Sequence, residues 1–90
     1  MADITATCTF RYAIIGDLKI ISIVTPATAA TGDTIDLDSN LVTAKLALIL
    51  NTLAQDDAGL DVTTTWVPST GVITFGALTM GIHNVTVIGL

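Results

Sequence analysis

The sequence predicts an all-β fold, a compact antiparallel β-sandwich or barrel of about seven short strands. Three observations lead to this prediction. Apolar and polar residues alternate with a period of two in several segments, turn residues separate those segments at close intervals, and β-branched threonine recurs throughout. The chain has 90 residues, too few for two separate cores, so we expect a single β domain over residues 1–90.

The first two predicted strands flank a turn at Gly16-Asp17. Apolar and polar residues alternate from Asp3 to Tyr12, which predicts a strand. Cys8 falls on the apolar side of that strand, where a free thiol is usually a small core residue and not a nucleophile. Leu18 to Thr25 is apolar at both odd and even positions, which predicts a strand covered on two faces.

The middle of the chain contains its longest nearly unbroken apolar run, from Leu41 to Leu53, which we expect to form the centre of the core. Before it, Asp33 to Asp38 alternates and predicts a short strand at a sheet edge. Asp38-Ser39-Asn40 has the residues of a helix N-cap, so the run could also form a helix. Because the neighbouring segments all favour strands, we predict a buried strand preceded by at most one short helical turn near Ser39–Ala44.

Three more strands are predicted in the last third of the chain. Leu60 to Val67 alternates, and a turn then leads into Val72–Phe75, so these two segments form a predicted hairpin. In that hairpin Trp66 and Phe75 could meet across the pair. Ile82 to Leu90 is predicted to close the fold as a last strand.

The composition predicts that copies of this chain associate. Apolar residues make up 51% of the sequence and charged residues 12%, about half the usual share of roughly 25%. A chain of this length buries only about two-thirds of its unfolded surface, which leaves surplus apolar surface to cover. An oligomer interface would cover it.

Charge and cysteine content exclude several classes of function. All eight acids are aspartates, the net charge is −5, and the three Lys and Arg residues are not clustered, so we expect no nucleic-acid binding. One cysteine permits no intramolecular disulfide, and with one histidine it cannot complete a structural zinc site. Leu41–Leu53 is shorter than the ~20 residues of a membrane span, and no secretory signal is recognised, so we expect no membrane partner.

Candidate chemistry is sparse. His83, the only histidine, is expected to face solvent from a strand, since nothing in the sequence supplies it with a nucleophile. Asp33, Asp36 and Asp38 carry the oxygen ligands that calcium prefers, with Asp36 and Asp38 on one strand face, but solvated strand and turn aspartates are the favoured interpretation. Asp56-Asp57 is interpreted as a turn. We therefore predict no catalytic residue, no cofactor site and no metal site, and a protein that is not an enzyme.

Four segments resemble small virion proteins of tailed bacteriophages, of the kind that decorate or cement the capsid. They are Gly16-Asp17-Leu18-Lys19, Thr31-Gly32-Asp33-Thr34-Ile35-Asp36-Leu37, Thr70-Gly71-Val72-Ile73 and Val85-Thr86-Val87-Ile88-Gly89-Leu90. The resemblance covers Gly16 to Leu90 and consists of turn and strand patterns. It implies a compact β-sandwich or barrel that forms a homotrimer and binds the major capsid protein where subunits of the shell meet. The family supplies no catalytic residues.

The leading functional hypothesis is thus a capsid decoration (cement) protein, made in the host cytoplasm and located on the capsid surface of the virion. A second hypothesis is a carbohydrate-binding or host-attachment module in which Trp66, Tyr12 and loop aspartates face a sugar or a cation. A third is a tail or baseplate component of similar fold.

Overall fold

The computed structural model describes residues 2–42, 45–68 and 70–90. Within these ranges the chain is all-β, with eight strands in two antiparallel sheets of five and three strands. One short 3-10 helix, Thr5–Thr7, precedes the first strand. The predicted fold class is confirmed. No helix in the described part of the chain could cross a membrane.

The strands are short, as the turn spacing predicts. In chain order they are β1 (Thr9–Ile15), β2 (Leu18–Val24), β3 (Thr34–Asp36), β4 (Ile49–Asp56), β5 (Asp61–Val62), β6 (Thr64–Trp66), β7 (Val72–Phe75) and β8 (His83–Gly89).

The larger sheet is built around the last strand. Its order is β1-β2-β8-β4-β5, so β8 pairs with β2 on one side and with β4 on the other. As in any β-strand, alternate residues of β8 face opposite sides of the sheet. Val85 and Val87 are fully buried, while Asn84 is exposed. The smaller sheet has the order β3-β7-β6 and packs over one face of the larger one.

The core lies between the two sheets. Its buried apolar side chains come from both sheets and from the connections between strands. They are Ile4, Ile21, Ile23, Ala29, Ile35, Leu37, Val42, Ile49, Ala54, Ile73, Phe75, Val85 and Val87. A hydrogen bond of 2.6 Å between the hydroxyls of Thr52 and Thr64 links β4 to β6 across the sheets.

The β1–β2 hairpin closes through a two-residue turn. Ile15 lies opposite Leu18, and the pairing continues without a break to Thr9 opposite Val24. Gly16 has a φ of +59°, a conformation that a residue with a side chain rarely adopts and that a turn with glycine first requires. The sequence placed this turn correctly.

The amino-terminal strand begins later than predicted. Asp3 carboxylate accepts hydrogen bonds from the backbone N–H and the hydroxyl of Thr5, which fold Thr5–Thr7 into a 3-10 helix instead of a strand. β1 then starts at Thr9. The prediction that Leu18 to Thr25 is covered on two faces is also wrong, because Ile21 and Ile23 are buried whereas Val24 is 38% exposed.

The apolar run Leu41–Leu53 is not the centre of the fold. Of its described residues, only Ile49 to Leu53 belong to a strand, β4, and Leu50 and Leu53 are about half exposed at 45% and 57%. The residues around Ser39 form turns, with no helical turn in the described part of Ser39–Ala44; Thr43 and Ala44 lie outside the described residues.

The predicted strand Leu60–Val67 divides between the two sheets. β5 pairs with β4 in the larger sheet, and β6 pairs with β7 in the smaller one, so the chain crosses between sheets at Thr63. Trp66 lies opposite Ile73, and Phe75 lies opposite Thr64. Trp66 and Phe75 are therefore diagonal neighbours on one face of the pair and do not lie directly opposite each other. Val72–Phe75 has the predicted bounds, and Asp33 to Asp38 contains the edge strand β3.

Candidate functional site

The clearest surface feature is an apolar patch on the larger sheet. We call the side of this sheet that turns away from the smaller sheet the outer face. The register places Ala13, Ile20 and Ile88 side by side across β1, β2 and β8, and it places Ile15 and Leu18 in the next row toward the hairpin turn. These five residues form the outer-face patch. Ile15 is 62% and Leu18 37% exposed, and Ile20 and Ile88 are half buried.

A polar groove lies at the other end of the larger sheet. It measures about 430 Å³ and runs along β4 and β5. Its lining combines polar residues with apolar ones; the former include Gln55, Asp61, Asn84 and Thr86, and the latter are Leu53, Ala54 and Val62. Hydroxyl, amide and carboxylate groups of this kind can hydrogen-bond a small polar ligand.

Asp33 is a structural anchor and not a solvated ligand. It is 5% exposed, and its two carboxylate oxygens accept hydrogen bonds from the backbone N–H of Ala2 at 3.0 Å and of Ala30 at 2.9 Å. These bonds to the charged form hold the pKa of Asp33 below its ordinary value. Asp33 therefore fixes the amino-terminal segment and the loop before β3.

The three aspartates considered for calcium do not form a common site. Asp36 accepts a hydrogen bond from the backbone N–H of Asp38, which lies in the turn after β3 and not on the strand. Within the described ranges, no group of three His, Cys, Asp or Glu residues is arranged to hold a metal ion. Asp36 instead hydrogen-bonds the backbone of its own turn, as aspartates near turns commonly do.

His83 is buried, which contradicts the prediction that it faces solvent. Its ring is 0% exposed and lies 5.9 Å from the Phe75 ring, centroid to centroid. Nδ1 is 2.8 Å from the Gly81 carbonyl oxygen, whereas Nε2 has no hydrogen-bond partner in the described part of the protein. The sequence held a signal for this burial, because His83 has the same parity in the strand as Val85 and Val87.

Cys8 is half buried and packs against the core, close to the prediction of a small core residue. Burial, with a smaller contribution from the negative charge of Asp3, raises the pKa of its thiol to about 11. A thiol with that pKa carries very little thiolate near neutral pH, so it is a poor nucleophile.

The aromatic residues considered for sugar binding are not brought together. Tyr12 lies on β1, one edge of the larger sheet. Trp66 lies on β6 of the smaller sheet, which contacts β4 near the opposite edge, and it packs against the core. Neither residue lines the polar groove.

In comparisons with known proteins, no family model, no curated protein sequence and no solved structure matches this chain. Its own geometry is therefore the basis for a functional proposal. The sequence indicated surplus apolar surface, but it did not locate the outer-face patch, because both parities of β2 are apolar and only the pairing of sheets decides which is covered.

Proposed function

We propose that this protein is a non-enzymatic structural protein of a virion, a capsid decoration protein that acts as a homotrimer on the capsid surface. The observation that carries the proposal is the outer-face patch, a contiguous apolar surface on a rigid sheet with no covering element among the described residues. Contiguous exposed apolar surface commonly marks an interaction site. The resemblance of its turn and strand patterns to small phage virion proteins supplies the kind of partner, the major capsid protein.

The size of the patch favours attachment through several contacts. Ile15 and Leu18 leave about one full side chain exposed between them, and burying that area contributes only about 1.5–3 kcal/mol before the costs of association. One such contact is weak. A trimer presents the patch three times to a repeating shell, and linked contacts multiply the strength of attachment.

Solution mass and electron microscopy test this proposal together. We expect light scattering to give the mass of three chains, and reconstructions of capsids with and without the protein to show added density where capsid subunits meet. Replacing Ile15 and Leu18 by serine should weaken binding to capsids that lack the protein. Leu60→Ser is the matched control, because Leu60 is 66% exposed and lies beyond β4, away from the patch.

A monomeric chain that leaves capsids undecorated would refute the proposal. The polar groove favours one alternative, a carbohydrate- or host-binding module, because its amide, hydroxyl and carboxylate groups suit a sugar. In that case glycan binding should be lost on replacing Asp61 or Asn84 by alanine and should survive the Ile15 and Leu18 substitutions.

A further inference from the structure

The open edge of β1 is a second surface. β1 also carries Ala13 and Ile15 of the outer-face patch, but the edge itself is formed by the backbone of the strand. β1 pairs with β2 over its whole length, and no strand in the described ranges pairs with its other side. In a two-residue hairpin the closing pair, Ile15 and Leu18, exchanges backbone hydrogen bonds, and bonded positions then alternate along the strand. The backbone N–H and C=O groups of Phe10 and Ile14 are consequently directed toward the open edge.

β1 lacks the features that usually protect a sheet edge. It contains no proline, its register with β2 has no bulge, and Arg11 is its only charged residue. Ile14 is 72% exposed. The opposite edge of the same sheet, β5, is two residues long and begins with Asp61, which makes it a poor template for another strand.

We propose that β1 pairs antiparallel with β1 of a second copy of this chain, in a two-fold contact centred on Tyr12. This register opposes all seven residues of the strand. It sets Phe10 against Ile14 of the other copy, and these residues exchange the backbone hydrogen bonds that they direct toward the edge. The two larger sheets then form one continuous sheet.

Full overlap of the seven-residue strand favours the register centred on Tyr12, and charge disfavours the neighbouring register centred on Arg11. Centring the pair on Arg11 would place two like charges directly opposite, which is unfavourable, whereas centring it on Tyr12 places Arg11 opposite Ala13. The strand is also self-complementary, since apolar Phe10 meets apolar Ile14 and β-branched Thr9 meets β-branched Ile15. A second copy therefore fits this edge without any further feature.

The contact is distinct from the proposed trimer. A two-fold contact cannot close a ring of three copies, so on a decorated capsid it would join one trimer to the next. It involves a single strand from each copy, so we expect it to bury less than the roughly 1,200 Å² of a stable standard interface and to form reversibly as the concentration rises.

Disulfide trapping tests the register directly. In a Cys8→Ala background, one chain carries Arg11→Cys and another carries Ala13→Cys, both at exposed positions. In the proposed pair these cysteines are directly opposite, with Cα atoms about 4.5 Å apart, within disulfide reach. Identical positions lie two residues out of register, roughly 7–8 Å apart, too far for easy bridging.

The mixture should therefore form at least about tenfold more mixed disulfide on mild oxidation than either chain forms with itself, measured by mass spectrometry. A Leu60→Cys chain in the same background gives the level of random collision. If the mixed disulfide does not exceed the two self-disulfides and the random level, the proposed pairing is overturned.

A non-covalent measurement complements the trap. By sedimentation, the mass of the wild-type particle, whether one chain or three, should at least double as the protein concentration rises toward about 1 mM. Ile14→Lys should abolish the doubling in mass. Leu60→Lys is the matched control and should not, since Leu60 lies outside β1 but is similar to Ile14 in size and exposure, 66% against 72%. Absence of doubling in the wild type, or equal behaviour of the two variants, contradicts the proposal. Ile14 faces away from the outer-face patch, so Ile14→Lys should lose the doubling in mass but still bind capsids. That result would distinguish the β1 contact from the capsid contact of the proposed function.

Discussion

Replacing Asp33 by asparagine should cost about 1.5–3 kcal/mol of the free energy of unfolding at pH 7. The carboxylate is 5% exposed and receives the backbone N–H groups of Ala2 and Ala30, one on each oxygen. Asparagine has nearly the same shape but offers only one oxygen, so its NH₂ group would face a second donor. The loss combines a charge-assisted hydrogen bond with a partly buried N–H left without an acceptor.

The effect should depend on pH in a defined direction. The pKa of Asp33 in the folded protein is lowered by those backbone hydrogen bonds, below the unfolded value near 3.9. Its ionised form therefore stabilises the fold fully above about pH 4, and this contribution is lost as pH falls through the lower folded pKa. The stability gap between wild type and Asp33→Asn should be constant from about pH 5 to 8 and should narrow in more acidic solution.

Urea unfolding followed by the fluorescence of Trp66, the only tryptophan, measures this gap. Asp57→Asn is the matched control, since it removes the same charge from an exposed turn residue and should change stability by less than about 0.5 kcal/mol. A gap below about 0.5 kcal/mol at pH 7, or one that does not narrow on acidification, would refute the role assigned to Asp33.

Three further substitutions or reagents probe the packing of the core. Gly89→Ala should lower the free energy of unfolding by about 1–3 kcal/mol or more, because the new Cβ would overlap the Leu48 carbonyl oxygen and lie 2.9 Å from Leu46 Cδ1. Gly81→Ala is the control: nothing lies within 4 Å of its new Cβ, so its free energy of unfolding should change by less than about 0.5 kcal/mol. Equal melting temperatures of the two variants would contradict this prediction. His83→Leu should change the free energy of unfolding by less than about 1 kcal/mol, because it removes the unpaired Nε2 together with the hydrogen bond to the Gly81 carbonyl. His83→Ala should lower it by about 2–5 kcal/mol, because it leaves a cavity. Chemical denaturation of both variants shows whether the unpaired nitrogen matters. At pH 8, iodoacetamide should alkylate Cys8 in the folded protein about a hundredfold more slowly than it alkylates a thiol with a pKa of 9.0, because the pKa of Cys8 in the folded protein is about 11. Unfolding in urea should remove this protection. Equal alkylation rates with and without urea would show that burial does not protect the thiol.

Short strands bounded by turn residues were predictable from the sequence. Val72–Phe75 and the β1–β2 turn follow from period-two alternation and from glycine at a position that needs a positive φ. The apolar run Leu41–Leu53 was not predictable in the same way, because a run that is apolar at both parities fits a strand, a helix or irregular packing equally well. Its conformation depends on contacts with β8 and the carboxyl-terminal residues, such as the hydrogen bond from Ala47 N–H to the Leu90 carbonyl.

Candidate sites were less predictable than strands because they depend on pairs of residues distant in the chain. Asp33 reaches Ala2 across 31 positions, and no local pattern specifies that contact. The outer-face patch arises from strands that neighbour one another only after the sheet is assembled. His83 is the exception, since its parity with Val85 and Val87 already indicated an inward side chain.

The position of β8 in the larger sheet also constrains the order of events during synthesis. β2 and β4 do not pair with each other and are joined within the sheet through β8, which follows both of them in the sequence. A ribosome releases residues 83–89 after the seven strands described before them, so β2 and β4 cannot join one sheet until that segment emerges. The yield of correctly folded protein should therefore depend more on protection during this interval, by a chaperone or by fast completion of translation, than on the stability of the finished sheet.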